Sequence, residues 1–279
     1  MVLKKRLKPA VFHLLVTAFG IFMLYPVLWL FSASVKPTTE IFTSKSLWPS
    51  EFTWEHYYNG WYGLHNVQFG RFFVNSFIIA SLAVVGTLIS SSLAAFAFAR
   101  IRFPLRNVFF AIMLGTFMLP GHVTLIPQYI MFHQLGWVDT FLPLTVPKFA
   151  GDAFYIFLIV QFIRGIPREL DESARIDGCG WFRLYSRIIL PLTSPALLTA
   201  AIFTFIGTWD DFFGQLIYLS DVNKLTVPLG LRLFLDSTGS SNWGAVFAMS
   251  VLSILPLLAI FFVGQKYFTQ GIATTGLKG

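Results

Sequence analysis

Four of the chain's thirteen carboxylates, Glu169, Asp171, Glu172 and Asp177, fall close together between Arg168 and Arg187, in the stretch ELDESARIDGCGWFRLYSRIILP. Clustered carboxylates can serve acid–base catalysis when a proton partner is in reach, but this stretch holds no histidine. The five histidines, His13, His56, His65, His122 and His133, are scattered without metal-ligand spacing. A single cysteine, Cys179, excludes an internal disulfide framework and a multi-cysteine metal site, and it reads as a small residue beside a turn. No Gly-x-x-x-x-Gly-Lys-Ser/Thr phosphate loop is present, since Gly115 and Gly121 lie in an apolar run without the lysine. Two further acids, Asp210 and Asp211, interrupt another apolar run. The chemistry open to the charged stretch is docking.

Its local pattern describes two short helices joined at a glycine. Pro167 suits a first helical position, and Glu169, Asp171 and Glu172 crowd the early turns, where carboxylates meet the positive end of the helix dipole. Arg175 lies toward the other end, and Gly178 supplies the left-handed backbone that closes a helix. Trp181, Leu184, Tyr185 and Ile188 then recur at helical spacing along a second helix, Trp181 to Leu190, which Pro191 is expected to stop. Amphipathic helices at the headgroup layer are one reading of this pair. Against it, an anionic lipid surface would repel the four acids, and the small pair Ser173-Ala174 invites close approach by another surface.

The elements that position this stretch are apolar. Of the residues, 56% are hydrophobic and only 12% charged, whereas a soluble domain typically carries about a quarter charged. A helix needs about 20 mostly apolar residues to cross hydrocarbon. Six segments qualify: Val11–Phe31, Phe72–Phe98, Val108–Ile130 with an interruption at Pro120-Gly121, Phe149–Ile163 with a start nearer Leu144, Pro195–Leu219 and Trp243–Val263. Lys148 and Asp152 at the fourth are read as facing other helices or the interface, because a charge facing lipid is expensive. The stretch Gly86 to Ala99 is rich in small residues, which lets the second span pack closely inside a bundle.

Direction follows from the basic residues. With the N-terminus inside, fourteen lysines and arginines lie on the inner side and six on the outer, the bias expected of cytoplasmic loops. Both termini, the charged segment 166–191 and the tail 267–279 are therefore expected in the cytoplasm, and the loops 35–71 and 220–242 outside. The loop 35–71 is long enough to form a small lobe, and the tail is too polar and glycine-rich to extend the last helix far. The first span has the outline of a signal peptide ending at Ser32-Ala33-Ser34, but its apolar run exceeds the usual length, which favours a retained helix. A net charge of +7 comes from short clusters between spans, without the basic stripe that nucleic acid requires.

Glu172-Ser173-Ala174, then Gly178, then Ile188-Ile189-Leu190-Pro191, resembles the signature loop of ATP-binding-cassette importer permeases, with serine for the commoner alanine at 173. Trp209-Asp210-Asp211-Phe212 resembles the Trp-Asn-Asp-Phe of the sugar branch, similar to the smaller permease of maltose-type systems, with Asp210 replacing asparagine. Leu225-Thr226-Val227-Pro228 and the ending from Gln270 to Gly279 are also similar to that branch.

The resemblance implies an all-α, polytopic type I importer fold of six transmembrane helices in a single permease domain, 1–279. It also implies a second homologous permease, two ATPase subunits carrying ATP and magnesium, and an extracytoplasmic sugar-binding protein, with no cofactor or catalytic residue in this chain. Glu172, Ser173, Ala174, Arg175, Asp177, Gly178, Ile188, Leu190 and Pro191 would couple the chain to the ATPase, Glu172 through a basic partner, Ala174 by permitting close contact and Gly178 by setting the interhelical angle. Trp209, Asp210 and Asp211 would line the translocation path for a sugar, expected to be an oligosaccharide, and Arg232, Asp236 and Ser237 would meet the binding protein. The rival is an ion-driven secondary carrier of a small polar solute, which calls for paired broken helices; the sequence offers one, at Pro120-Gly121.

Overall fold

The computed structural model describes residues 2–64, 67–235 and 241–276. The chain divides into two compact units, Met1–Gly70 with Gly230–Leu255, and Arg71–Leu229 with Pro256–Gly279. Every regular element among the described residues is helical. Four helical segments are long and apolar enough to cross a membrane, Val11–Val35, Phe69–Arg100, Leu142–Gly165 and Trp243–Gln265, and a fifth span follows if the bent pair Trp181–Leu192 and Ser194–Trp209 is one crossing.

The expected six spans differ from this in two places: Pro195–Leu219 is α11 (Ser194–Trp209) and α12 (Phe212–Tyr218), broken at Asp210-Asp211, and Val108–Ile130 is broken as well. Val108–Ile130 is two helices, α4 (Arg106–Phe117) and α5 (Gly121–Gln134), separated at Met118-Leu119-Pro120. Pro120 is extended (φ −60°, ψ 125°) and lacks the N–H a continuous helix would use. Neither piece reaches the ~20 residues that a single crossing needs.

In the first unit, α1 (Val2–Val35) is followed by a folded segment containing α2 (Glu55–Tyr62). Lys36 is fully buried, and its ammonium donates to the Ser46 carbonyl while its own carbonyl meets His56 Nε2 at 2.7 Å. A Cβ at Gly244 would come within 2.2 Å of His56 Nδ1, so only glycine lets that ring settle there. Among the described residues of 35–71, Lys36, Ile41 and His56 are buried.

The second unit is organised on α3 (Phe69–Arg100). Its Thr87, Ser91, Ala95 and Ala99 are buried along one face, and a Cβ at Gly86 would meet the Phe149 ring at 2.6 Å. The small residues do what close helix packing requires. Next come α6 (Leu142–Thr145), a 3-10 turn (Val146–Ala150) and α7 (Ala153–Gly165). Then follow α8 (Glu169–Ile176), α9 (Trp181–Leu184), a π turn (Tyr185–Ile189), α10 (Leu190–Leu192), α11 (Ser194–Trp209) and α12 (Phe212–Tyr218). The chain closes with a 3-10 turn (Val222–Lys224), α13 (Val227–Arg232) and α14 (Trp243–Gly276). The last helix runs well into the segment expected to leave it, so Gly271 does not break it.

Residues 220–227 were read as loop, and the structure staples them down. Asn75 Nδ2 donates to the carbonyls of Asn223 (2.9 Å) and Leu225 (2.8 Å), and Ser76 Oγ accepts from Val227 N (2.9 Å). Asp139 accepts from the amides of Ser220 (3.0 Å) and Asp221 (2.9 Å) and from Lys224 Nζ (2.7 Å). The Lys224 ammonium and those two amides hold the Asp139 carboxyl at about 2, below its ordinary 3.8. A value lowered on folding stabilises fully above about pH 4 and ceases to do so as the pH falls through about 2. Asp139→Ala is expected to raise hydrogen exchange of amides 220–227 roughly fivefold at neutral pH, about 1 kcal/mol for a partly exposed ion pair. Acidifying the unaltered protein from about pH 4 to about pH 2 should release the same amides.

Candidate functional site

The charged stretch forms an elbow, α8 through α10, rooted in its own bundle. Ala174 is 6% exposed and packs with Leu184 and Ile189 into a cluster with Ala95, Phe96 and Ala99 of α3 and Ile156, Ile159, Val160 and Ile163 of α7. Tyr185 Oη lies 2.8 Å from Ser92 Oγ, and its ring meets Phe96 at 5.3 Å. The small side chain of Ala174, expected to permit close contact with a partner, lets α8 seat on the chain's own core.

The turn between α8 and α9 forms as the sequence indicated. Gly178 has φ +75°, and the amides of Gly178 and Cys179 donate to the carbonyls of Arg175 (3.0 Å) and Ala174 (2.9 Å), capping the helix end. Pro191 does not stop the second helix, which continues to Leu192 and bends by 75° before Ser194. The π turn widens the coil just ahead of Pro191, which accommodates its ring and missing N–H. It also adds a residue to the turn, so Ile189 is the fully buried side chain and Ile188 is half-buried. Leu190 is half-buried and Pro191 exposed.

Outward the elbow presents a mixed face. Glu172, Ser173, Arg175, Asp177 and Gly178 are exposed, and so are Ile176 (86%) and Phe182 (78%). The Arg175 guanidinium lies 3.9 Å from the centre of the Trp181 ring, a cation–π contact that ties α8 to α9 across the glycine turn.

One anchor was not anticipated. Arg100, counted in the sequence only as a topogenic charge, ends α3 with its side chain buried; Nε lies 2.8 Å from Asp171 Oδ2 and Nη2 donates to the Ile166 carbonyl at 2.8 Å. The Nε contact is an ion contact without hydrogen-bond alignment, and Asp171 Oδ1 has no hydrogen-bond partner. Only its place at the end of an apolar helix, ahead of an acidic segment, hinted at the pairing.

A second site lies where the helices break. Lys148, Asp152 and Asp211 line two adjoining cavities of about 200 Å³ and about 320 Å³, with Tyr155, Thr208 and Gln215 in the first and Gln128 in the second. Asp152 and Asp211 cap α7 and α12, accepting from Phe154 N (3.0 Å) and Gly214 N (2.9 Å), which leaves each a second oxygen. Lys148 has no carboxylate within ion-pair distance among the described residues. Gln215 is buried, donates to the Thr208 carbonyl at 2.8 Å and accepts from Thr226 Oγ1. Of the three residues expected on the path, Asp211 is on the cavity wall. Asp210 is exposed and ends α11. Trp209 is 2% exposed, stacks on Phe205 (5.5 Å) and meets Phe77 edge-to-face (4.8 Å), so it is core. Arg232 is exposed at the end of α13, and Asp236 and Ser237 lie outside the described residues.

A bundle of broken and continuous apolar helices, with a charged elbow at one end and a polar cavity at the breaks, defines a membrane permease. Residues 86–274 match the family described as binding-protein-dependent transport system inner membrane component, and the chain belongs to that family. It is 34% identical over 256 residues to the probable ABC transporter permease protein YurM of Bacillus subtilis (strain 168), covering 91% of this chain and 84% of that one. It is 34% identical to the sn-glycerol-3-phosphate transport system permease protein UgpE of Brucella abortus (strain 2308), covering 94% and 95%. Its fold is similar to the crystal structure of a bacterial ABC transporter involved in the import of the acidic polysaccharide alginate, with TM-score 0.83, 25% identity and coverage of 94% and 97%. Membership favours the importer over the ion-driven carrier.

The clamp and the seat can be tested separately. Arg100→Ala leaves the Asp171 carboxylate without its cation and is expected to destabilise the elbow by roughly 3–5 kcal/mol, read as exchange of the α8 amides. Ala174→Leu should destabilise by roughly 1–3 kcal/mol through overpacking, whereas Ser173→Ala, at an exposed position, should leave exchange unchanged.

Proposed function

We propose that the chain is one permease subunit of an ATP-driven, binding-protein-dependent importer of sugars, with the elbow as the part that an ATPase subunit grips. The observation that carries this is the elbow's two-sidedness. Its inner face is bolted to α3 and α7, and its outer face presents Glu172, Arg175, Ile176 and Phe182 to solvent. Apolar side chains exposed among charges form a surface suited to a protein partner. A push on that face reaches α11 directly through the bend at Thr193. ATP and magnesium would be held by the partner ATPases, a second homologous permease would complete the path, and a sugar-binding protein would deliver solute from outside. The elbow and both termini are assigned to the cytoplasm on the excess of basic residues at that end.

The cavity at Lys148, Asp152 and Asp211 is the proposed contact with solute. Its lining offers both donors and acceptors, as hydroxyl-rich solutes require. UgpE relatives bear the name of sn-glycerol-3-phosphate, and that anion is the second reading. Two carboxylates against one lysine disfavour a phosphoester and favour an uncharged saccharide.

Uptake of a panel of oligosaccharides and of sn-glycerol-3-phosphate by cells carrying the importer would decide between them, and faster uptake of the phosphoester would overturn the sugar reading. Gly178→Pro places a fixed negative φ where +75° is needed and removes the N–H given to Arg175. With Glu172→Lys, it is expected to abolish uptake and uncouple the ATPase, and undiminished uptake with either would remove the coupling claim. Asp211→Asn keeps a capping oxygen while removing the charge, so uptake should fall with thermal stability unchanged.

A further inference from the structure

Of the eight arginines at the elbow end of the bundle, Arg183 and Arg187 lie on the second helix of the elbow, and the other six fall into two groups. Arg100 is paired with Asp171, Arg164 lies 5.3 Å from the Phe110 ring centre and Arg175 covers Trp181. Arg102, Arg106 and Arg168 have no carboxylate within ion-pair distance among the described residues. These three line one pocket of about 440 Å³, to which no acidic side chain contributes. Arg168 arrives from a distant part of the sequence, at the residue that precedes α8, so the convergence is a product of folding. A positive-inside signal requires only that such residues lie on one side of the membrane. Arg102 and Arg168 also border a neighbouring cavity that Asp171 and Glu172 line, but within the 440 Å³ pocket three guanidiniums without an ion-pair partner repel each other unless an anion joins them.

The rest of the pocket says which anion. Leu105 is 65% exposed and Val108 51%, both on its wall, and Phe109 beside them is 51% exposed. These side chains begin α4, an apolar helix of a membrane protein, so hydrocarbon borders the pocket on that side. Guanidinium forks bind phosphate oxygens in pairs. We propose that Arg102, Arg106 and Arg168 form a site for the headgroup of an anionic phospholipid, with the phosphodiester on the three guanidiniums and an acyl chain along Leu105 and Val108. The carbonyl of Arg168 accepts from the amides of Asp171 (2.9 Å) and Glu172 (3.1 Å), so a headgroup there steadies the first turn of α8. This second effect rests on the coupling role proposed for the elbow, whereas the binding itself does not.

Native mass spectrometry of the purified importer, titrated with phosphatidylglycerol or phosphatidylcholine, tests the site. Phosphatidylglycerol is expected to bind at least about tenfold more tightly, a difference of ~1.4 kcal/mol, and Arg102→Ala/Arg106→Ala/Arg168→Ala should remove the preference. Arg183→Ala/Arg187→Ala, which alters two arginines outside the pocket, should retain it. Equal loss in both variants would mean diffuse charge attraction and would overturn the site. Displacement of phosphatidylglycerol by inorganic phosphate at comparable concentration would make the ligand a soluble anion and defeat the lipid assignment. If the triple variant fails to fold, photoactivatable phosphatidylglycerol on the unaltered protein should crosslink to residues 102–108; label spread evenly over the elbow would overturn the proposal. Protection of the three arginines from phenylglyoxal by the ATPase in phosphatidylcholine would instead mark a protein interface and would also defeat it. Stimulation of ATPase activity by phosphatidylglycerol reports the coupling effect, and its absence with intact lipid binding would count against the elbow's role alone.

Discussion

The contact of Arg100 with Asp171 and the Ile166 carbonyl is the constraint on which the elbow's geometry depends. It fixes the start of α8 to the end of α3 at a point where both side chains are largely removed from water. Burying a guanidinium and a carboxylate is unfavourable for each alone, so each holds the other in place. With that end set, the capped turn at Gly178 and the cation–π contact between Arg175 and Trp181 determine where α9 begins. The cluster around Ala174, Leu184 and Ile189 then fills the inner face. The elbow is a rigid extension of α3 and α7, and its outer residues owe their positions to that inner seat.

Helix breaks do comparable service at the cavity. A backbone that leaves the helix in an apolar setting exposes donors and acceptors that must find partners. Here Asp152 and Asp211 satisfy the freed amides of α7 and α12 with one oxygen each and turn the remainder of their carboxylates toward a cavity. Gln215 ties the Thr208 carbonyl, in the last turn of α11, to Thr226 of the stapled segment beyond. Capping groups and cavity wall are the same residues.

Much of the elbow was legible before any coordinates, because its signals are local. Glycine at a helix end, acids in the first turn and four apolar residues at helical spacing each depend on neighbours within one or two turns. The small-residue face of α3 was legible for the same reason. What escaped depended on distant partners. Ala174 is small whether it faces inward or outward, and only the packing of α3 and α7 decides. Trp209 sits beside acids in the sequence yet packs against Phe77 and Phe205, and so belongs to the core. Arg100 and Asp139 meet their partners 71 and 85 residues away. The extra residue of the π turn, which moves burial from Ile188 to Ile189, leaves no mark in composition.

The 75° bend between α10 and α11 has a mechanical corollary. Motion of α9 and α10 along their common axis is directed mainly across α11, so it tips that helix about its elbow end instead of sliding it like a piston. Sliding would draw the polar break at Asp210 and Asp211 toward hydrocarbon, which is costly for carboxylates. Tipping leaves their depth almost unchanged while swinging the far end of the helix sideways. A corner of this sharpness turns a push on the elbow into a sideways swing of α11 that keeps its carboxylates at their depth.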